Sequence, residues 1–404
     1  MTDDMHRFFD SNGYFLFGRF KSALDISGDK EAFTNGFLKF VEKGKYPLFE
    51  NDSTYILLYK GMEDSVGIIG DMSNWTDIIP MEKIDESGLY FLRGKAEPDA
   101  RFEYWLMFSK NGFPALDTLN PYKGLSGFGQ VSELAMPGYK RHHYFDKYVF
   151  GEKGSAEGLK THEINSKYLN YKHTVHVYLP PEYNSRNTYP AVYFQDGIDY
   201  VEFAQVPAIL DGLIREGKIR PLIAVFVTPP NRLKPGVPNR MTEYGLNDDY
   251  VNFFCYELVT MIDSNYSTII DPLMRLVAGD SYGGLISAYI PFKRPDIFAN
   301  GYSQSGYHSF SKDKLIELFR NEATKGINLF VDSGLYERNV GASFLPKEET
   351  DFLLANRRFN KVLEEKSYRF IYREYPEGHT WGNWKRHLID ALTYFFPATE
   401  VRSK

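Results

Sequence analysis

The fold is decided by residues 275–292, RLVAGDSYGGLISAYIPF, where a short apolar run meets a glycine-rich turn and then a second apolar stretch. The run before the turn is typical of a buried strand, and the stretch after it is typical of a buried helix. Gly279, Ser281 and Gly283 form G-x-S-x-G in the strand–turn–helix context that places a serine on a sharp, strained turn. Glycines are needed because strand and helix come close there, and the helix N-terminus favours developing negative charge. The pattern predicts Ser281 as a nucleophile; the alternative is a tight turn with an incidental serine.

Strand-like and helix-like segments alternate from about residue 160 to the end of the chain, and one of the predicted helices covers residues 246–263. Near-continuous apolar strands that alternate with helices predict a mostly parallel central sheet covered on both faces. In such sheets, functional residues collect at the carboxyl ends of the strands. Together with the serine turn, this predicts an α/β fold of the α/β-hydrolase type over residues 146–404.

The first 145 residues have a different texture. Residues 29–43 place Phe33, Phe37 and Phe40 at helical spacing, which predicts a short amphipathic helix. From about 53 to 110, short runs rich in β-branched and aromatic residues are separated by Gly, Asp, Asn and Pro, which predicts a small antiparallel β-sandwich. We therefore expect a first domain over 1–145, made of this helix, the sandwich and a linker.

A nucleophilic serine needs a neighbouring base, and the chain has 9 histidines. His379 lies in the segment PEGHTW, residues 376–381, after the last predicted strand and before the last predicted helix. This position puts it at the same edge of the sheet as Ser281. His173 lies at an early strand and His387 inside the final helix, so His379 is predicted as the base.

The third catalytic residue should orient the histidine and lie between it and the serine in sequence. The predicted strand INLFV, residues 327–331, is followed by Asp332 and, in the loop beyond, by Glu337. The loop position gives Glu337 the reach to approach the histidine ring and favours it. Asp332 remains the alternative, and the carboxylate that is not used is a cap or turn residue.

An oxyanion hole requires two backbone donors. One is expected to be the N–H of Tyr282, directly after the nucleophile. The other is expected from the turn after YPAVYFQ, at Gly197 and Ile198, where glycine allows a close backbone approach. An ordinary β-turn glycine is the alternative for Gly197.

Three aromatic residues flank the predicted edge of the sheet: Trp381, Trp384 and Tyr307. Aromatic residues make up 16% of the chain, which is compatible with an aromatic-rich core. The three residues are predicted to stack on an aromatic acyl group or a sugar, and packing at the end of the sheet is the alternative.

Charge and motifs exclude several other classes of function. The formal net charge is −6 and no basic stripe is present, which argues against a nucleic-acid partner. No run of 18 apolar residues and no signal peptide is visible, so we expect no membrane span and a cytoplasmic location.

The single cysteine, Cys255, lies in an apolar run and is predicted to be a buried thiol. No metal or cofactor motif is present, and we expect neither a metal nor a cofactor. The predicted serine, histidine and acid imply a small-molecule ester as the partner, and a homodimer is a further option.

Together these stretches resemble the esterase D branch of the α/β-hydrolases, which includes feruloyl and acetylxylan esterases. The similar stretches are VYLPPEY, FQDG, GDSYGGLISAY, YSQSG, SGLYE and EGHTWGNW, and they cover most of 160–396. The leading part, with GFLKFVEKGKYPLFEND, PDARFEYWL and LDTLNPY, resembles the first domain of enterochelin (enterobactin) esterases. The resemblance implies an immunoglobulin-like sandwich ahead of the hydrolase domain.

The same resemblance bears on the acid and on the substrate. The acid of enterochelin esterases is a glutamate in a G-x-x-E loop, and Gly334 to Glu337 match that loop, which supports Glu337. The family further implies cytoplasmic cleavage of a siderophore trilactone. Residues 69–75, IGDMSNW, differ and look more like the sandwich modules of glycogen-branching enzymes and related sugar-binding domains.

Three functions follow from the sequence. The first is a serine esterase acting on a siderophore trilactone of the enterobactin type. The second is a carbohydrate-ester hydrolase that removes feruloyl or acetyl groups. The third is a non-catalytic protein that binds a sugar or a partner on a hydrolase scaffold, and the intact set of Ser281, His379 and Glu337 argues against it.

Overall fold

The computed structural model describes residues 5–84, 87–108, 112–144, 154–231, 234, 236–341 and 344–398. Its internal contacts divide the chain into two units. The N-terminal unit consists of Met1–Glu152 together with Pro376–Thr380, and the C-terminal unit of Lys153–Tyr375 together with Trp381–Lys404. The domain boundary expected at 145/146 lies outside the described residues.

The N-terminal unit begins with helices α1 (Phe17–Asp25) and α2 (Lys30–Val41). The Asp29 side chain accepts a hydrogen bond of 2.9 Å from the Ala32 N–H and so caps the start of α2. Phe37 is fully buried, and its ring lies 4.3 Å from that of Phe20 in α1. The helix predicted over 29–43 is therefore present, and its aromatic stripe packs against the preceding helix.

The strands of the N-terminal unit form two antiparallel sheets. They are β1 (Leu48–Asn51), β2 (Thr54–Lys60), β3 (Gly67–Gly70), β4 (Ile79–Pro80), β5 (Glu82–Ile84), β6 (Leu89–Lys95), β7 (Arg101–Met107), β8 (Pro114–Ala115), β9 (Lys123–Ser126) and β10 (Gly129–Ala135). One sheet has the order β1-β2-β6-β5, and the other has the order β4-β3-β7-β10-β9 with β8 on β7. Short strands separated by turn residues thus give the all-antiparallel region that the sequence texture indicates.

The C-terminal unit contains an eight-stranded mixed sheet. Its strands are β11 (Lys160–Asn165), β12 (Lys172–Tyr178), β13 (Ala191–Phe194), β14 (Ile223–Thr228), β15 (Arg275–Asp280), β16 (Asn300–Gln304), β17 (Asn328–Gly334) and β18 (Arg369–Tyr375). Their order is β11-β12-β14-β13-β15-β16-β17-β18. The six strands from β13 to β18 pair with one another in parallel. Strands β11 and β12 pair antiparallel with each other, and β12 pairs antiparallel with β14.

The helices of this unit lie between the strands in sequence. They are α3 (Gly197–Glu202), α4 (Val206–Arg215), α5 (Arg240–Tyr244), α6 (Asp248–Asn252), α7 (Val259–Asn265), α8 (Tyr282–Lys293), α9 (Phe310–Asn321), α10 (Phe352–Glu365) and α11 (Trp381–Phe395). The single helix expected over 246–263 is instead α6 and α7, joined by a π-helical turn at Phe253–Leu258. Cys255 lies in that turn and is buried, as predicted. None of the helices in the described part of the chain is long and apolar enough to cross a membrane.

Strand β15 and helix α8 form the centre of the C-terminal unit. Every residue of β15 is buried, and α8 is buried from Tyr282 to Phe292. A helix that is apolar all round packs on all sides and has little freedom to shift. The residue that joins these two elements, Ser281, is therefore fixed at both ends by the core.

Candidate active site

Ser281 occupies a strained turn between β15 and α8. Its backbone has φ 56° and ψ −116°, a left-handed conformation that costs a non-glycine residue on the order of 1–3 kcal/mol. The Ser281 N–H donates to the Gln304 carbonyl at 2.9 Å, and the Tyr307 N–H donates to the Ser281 carbonyl at 2.9 Å. A Cβ on Gly279 would lie 2.6 Å from the Gly283 carbonyl, so the turn leaves no room for a side chain there. The half-buried Ser281 side chain is thus held at the carboxyl end of a central parallel strand.

Glu337 lies in the turn that follows β17, and its side chain is fully buried. The Ser305 hydroxyl donates to Glu337 Oε1 at 2.6 Å, and the Ser333 hydroxyl donates to Oε2 at 3.3 Å. Ser305 itself belongs to the segment after β16 whose neighbouring residues Gln304 and Tyr307 bond the backbone of Ser281. The structure therefore links the Ser281 turn and the Glu337 carboxylate through one short segment.

Asp332, the alternative acid, lies inside β17 rather than after it. Its carboxylate accepts hydrogen bonds from the Tyr302 hydroxyl at 2.6 Å and from the Ser305 N–H at 3.2 Å, and His387 Nδ1 lies 3.9 Å away. Burial raises the pKa of Asp332 to about 6, and the nearby Glu337 charge acts in the same direction. These contacts tie Asp332 to neighbouring core residues.

His379 lies in the loop Pro376–Thr380, which is part of the N-terminal unit. Its side chain is half-buried. The Arg101 N–H at the start of β7 donates to the Pro376 carbonyl at 3.2 Å. Ser281 and Glu337 belong to the C-terminal unit, so the predicted base and the other two predicted residues fall in different units.

The predicted oxyanion donors lie at the starts of two helices. Tyr282 is the first residue of α8, and Gly197 is the first residue of α3. The Ile198 N–H already donates to the Thr228 hydroxyl at 3.1 Å. A Cβ on Gly197 would lie only 2.7 Å from Phe226 Cα, so the absence of a side chain there allows α3 to approach β14.

The three aromatic residues expected to contact substrate are packed inside the C-terminal unit. Trp381, Trp384 and Tyr307 are 6%, 5% and 1% exposed. The Trp381 ring lies 5.1 Å from the ring of Tyr200, and the Tyr307 ring is stacked 4.9 Å from that of Phe352. The burial favours the packing alternative for these rings.

Arg240 is a half-buried neighbour of the Ser281 turn that sequence analysis missed. Its Nε lies 2.7 Å from each carboxylate oxygen of Asp196, and its terminal nitrogen donates to the Asp280 carbonyl at 3.0 Å. The guanidinium also lies over the Tyr282 ring, 5.7 Å from its centroid. Its partners are 44 and 40 residues away in sequence, so no local pattern marks Arg240.

We searched the described part of the chain for side chains that could bind a metal ion. No group of three or more His, Cys, Asp or Glu side chains there is arranged to hold a metal ion. The contacts described for the Ser281 turn are backbone hydrogen bonds and the Arg240 guanidinium with its carboxylate partner Asp196, and a serine hydroxyl in such a turn suits acyl transfer.

A mixed α/β sheet with a strained serine between a central parallel strand and a buried helix defines a hydrolase-like esterase. The model of the Esterase family matches residues 166–395, more than half of the chain, and the chain belongs to this family. It is a carboxylic ester hydrolase.

Solved structures of two esterases share this fold over most of the chain. The enterobactin esterase FES from Shigella flexneri, in the presence of enterobactin, matches with a TM-score of 0.69 and 17% identity, over 85% of this chain and 94% of that chain. The ferric enterobactin esterase from Salmonella typhimurium matches with a TM-score of 0.70 and 16% identity, over 85% of this chain and 93% of that chain. At 16–17% identity, these matches show a shared fold and nothing further.

Relatives in sequence match part of the chain. The uncharacterized protein YjcH of Bacillus subtilis (strain 168) is 27% identical over 227 residues, which are 56% of this chain and 92% of YjcH. The endo-1,4-beta-xylanase/feruloyl esterase of Xylanibacter ruminicola is 32% identical over 136 residues, which are 31% of this chain and 18% of that protein.

Proposed function

We propose that the chain hydrolyses carboxylic esters with Ser281 as nucleophile, His379 as general base and Glu337 as the acid that orients the histidine. The observation that carries the proposal is the strained backbone of Ser281, with φ 56°, at the carboxyl end of β15. Such strain persists where the surrounding structure enforces it, and it exposes a nucleophile to substrate.

The reaction proceeds in two halves. His379 takes the Ser281 hydroxyl proton as the oxygen attacks the ester carbonyl, and it then passes this proton to the leaving alcohol. Water, deprotonated by His379, attacks the acyl-enzyme, and His379 returns this proton to the Ser281 oxygen as the bond to the acyl group breaks and the acid is released. The N–H groups of Tyr282 and Gly197 stabilise the oxyanion. We favour Gly197 over Ile198 because the Ile198 N–H already donates to Thr228.

Glu337 is the better of the two acids on the basis of its surroundings. It follows β17 in a turn, and its carboxylate accepts from two serine hydroxyls. Asp332 is within the strand and is held by Tyr302 and by the Ser305 amide. A turn beyond the strand can place a carboxylate beside an imidazole on another loop, whereas a carboxylate within a strand is held in place by the sheet.

Turnover of p-nitrophenyl acetate tests the chemistry. We expect Ser281→Ala and His379→Ala each to lower kcat by about 10³-fold or more, because either change removes the nucleophile–base pair. Ser264→Ala, at an exposed serine on α7, is the matched control and should retain full activity. Full turnover by Ser281→Ala would disprove the proposed nucleophile. Absence of turnover in the wild-type chain on every ester offered would favour a non-catalytic binding protein.

We propose a siderophore trilactone of the enterobactin type as the substrate. Support comes from the resemblance of both the leading and the catalytic segments to enterochelin esterases, including the G-x-x-E match at Gly334 to Glu337. A feruloyl or acetyl sugar ester is the second candidate, favoured by the 32% local identity to the xylanase/feruloyl esterase. A side-by-side assay on ferric enterobactin and methyl ferulate separates them, and a higher kcat/KM on ferulate would remove the siderophore assignment.

Three further features stay predictions from the sequence. The two antiparallel sheets of the N-terminal unit are proposed to form an immunoglobulin-like sandwich, within a domain that ends near residue 145. A homodimer and a cytoplasmic location are the other two.

A further inference from the structure

We propose that the N-terminal unit holds the His379 loop in its working position, through the packing of Gly378 against Asp71 and the pairing of the loop backbone with Arg101. Asp71 and Arg101 are then positioning residues for the base. The inference rests on the proposed role of His379. It assigns a catalytic task to the residues of the N-terminal unit that contact this loop.

The loop Pro376–Thr380 interrupts the C-terminal unit in sequence. The chain before it, up to Tyr375, and the chain after it, from Trp381, both belong to the C-terminal unit. The loop itself makes its contacts with the N-terminal unit and belongs to it. The residue proposed as general base is thus carried on a segment whose supporting contacts come from a distant part of the sequence.

The loop backbone pairs with the first residue of β7. The Arg101 N–H donates to the Pro376 carbonyl at 3.2 Å, and Arg101 and Glu377 form an isolated parallel bridge. The Arg101 guanidinium is buried and is fixed by Glu103 at 2.9 Å and by Glu133 at 2.7 Å. The negative charge of the buried Glu377 adds to those that raise the pKa of Arg101. A residue held this firmly provides a rigid anchor for the loop.

Gly378 packs against the Asp71 side chain with no space to spare. A Cβ on Gly378 would lie 2.8 Å from Asp71 Cβ and closer still to the Asp71 carboxyl group. The carboxyl group cannot swing away freely, because it accepts hydrogen bonds from Trp75 Nε1 at 2.8 Å and from the Glu103 N–H at 2.7 Å. Asp71 is also fully buried. The fixed Asp71 side chain therefore limits how closely Gly378, the residue before His379, can approach β7.

The position of this loop matters because general-base catalysis depends strongly on geometry. A base must lie within hydrogen-bond reach of the proton that it abstracts. A misplacement of about 1 Å costs on the order of 100-fold in rate. A methyl group on Gly378 would have to displace either the loop or the Asp71 side chain. Displacement of the loop would move His379, which is the next residue.

The decisive variant is Gly378→Ala, with Gly28→Ala as the matched control in the same unit. A Cβ on Gly28 meets nothing within 4 Å. With p-nitrophenyl acetate, we expect Gly378→Ala to lower kcat by about 10- to 100-fold while KM changes little. Acylation and deacylation should slow together, because His379 serves both steps. Gly28→Ala should keep the wild-type kcat.

A second pair of variants shows whether the effect passes through Asp71. Asp71→Ala removes the carboxyl group, whereas Asp71→Asn keeps its volume. We expect the kcat loss caused by Gly378→Ala to shrink several-fold in the Asp71→Ala background and to persist in the Asp71→Asn background. Thermal melting of each variant measures its folded fraction, and a kcat calculated per folded enzyme separates this effect from unfolding, since partial unfolding alone also lowers the apparent kcat at unchanged KM.

The outcomes distinguish failure of this inference from failure of the proposed function. Full activity of His379→Ala would refute the proposed base and with it the proposed function. If His379→Ala is inactive but Gly378→Ala matches Gly28→Ala in kcat, the positioning role is overturned and the esterase proposal stands. The positioning role is also overturned if Gly378→Ala lowers kcat by the same factor in the Asp71→Ala and Asp71→Asn backgrounds. Should Gly378→Ala not fold, Asp71→Ala alone must lower kcat at unchanged KM for the inference to survive.

Discussion

The Ser305 hydroxyl donates a hydrogen bond of 2.6 Å to the Glu337 carboxylate. The same oxygen accepts a hydrogen bond of 2.9 Å from the Trp384 indole. Because Trp384 can only donate, it directs the Ser305 proton toward Glu337. Ser305 therefore helps to fix the rotamer of the proposed acid, and it does so from a left-handed backbone conformation with φ 46°.

Removing this hydroxyl should weaken both the fold and the reaction. We expect Ser305→Ala to lower the free energy of unfolding by about 1–3 kcal/mol, because a buried indole N–H and a buried carboxylate each lose a partner. We also expect kcat to fall by about 10-fold, since Glu337 is less well oriented. Steady-state kinetics and urea unfolding measure the two effects. Ser333→Ala, which removes the longer bond of 3.3 Å to Glu337, is the control and should cost less in both measurements.

The choice between the two carboxylates has a direct test. We expect Glu337→Gln to lower kcat by about 10³- to 10⁴-fold at little cost in KM, as is typical when the residue that sets the histidine tautomer is neutralised. Asp332→Asn should lower kcat by less than about 10-fold, because its partners are Tyr302 and the Ser305 amide. The reverse ranking of the two variants would assign the acid to Asp332.

Local pattern was sufficient to predict the elements around Ser281. A run of apolar letters, two close glycines and a second apolar run predict a buried strand, a tight turn and a buried helix, and the structure has β15 and α8 there. Strand direction is not contained in such letters. The apolar alternation of HTVHVY in β12 fits parallel and antiparallel pairing equally well. Strand β11 ends at Asn165 and β12 begins at Lys172, and so short a connection allows only antiparallel pairing.

Contacts between residues that are distant in sequence are the part that the pattern could not reveal. The helix predicted over 246–263 is interrupted by one π-helical turn, which depends on side-chain packing rather than on periodicity. The aromatic residues Trp381 and Trp384 look available for substrate in the sequence, but their rings are 4.9 Å apart and buried. Arg240 gave no signal because both of its partners are on other elements.

Arg240 should contribute strongly to stability. Its side chain is 13% exposed, and those of Asp196 and Asp280 are 1% and 4% exposed. We expect Arg240→Met to lower the free energy of unfolding by about 3–5 kcal/mol, because the carboxylates stay buried without the cation. Arg240→Lys keeps the charge but not the planar fork, so its loss should be intermediate.

Denaturant unfolding of both Arg240 variants provides the measurement. Arg320→Met is the control, because the side chains of Arg320 and its partner Glu317 are 45% and 48% exposed, and the loss should stay below about 1 kcal/mol. Equal losses for Arg240→Met and Arg320→Met would show that the Arg240 network adds nothing beyond a surface pair.

His308 should make the C-terminal unit sensitive to acid. Its ring is fully buried, lies 4.2 Å from that of Phe359 and has Nε2 at 3.1 Å from the Ser303 hydroxyl. Burial lowers the pKa of His308 to about 3, from 6.5 for an unperturbed histidine. Below pH 6.5 the unfolded chain therefore takes up a proton that the folded chain refuses, so the free energy of unfolding falls as the pH is lowered.

This effect should amount to at most one proton, or about 1.4 kcal/mol per pH unit, over the window between pH 6.5 and about 3. We expect His308→Gln to flatten the dependence of unfolding free energy on pH by up to that amount between pH 6 and 4, as measured by urea unfolding at a series of pH values. Ser303→Ala is the control, because it removes the hydrogen-bond partner but keeps the buried imidazole, so the slope should persist. An unchanged slope in His308→Gln would mean that other groups account for the acid sensitivity.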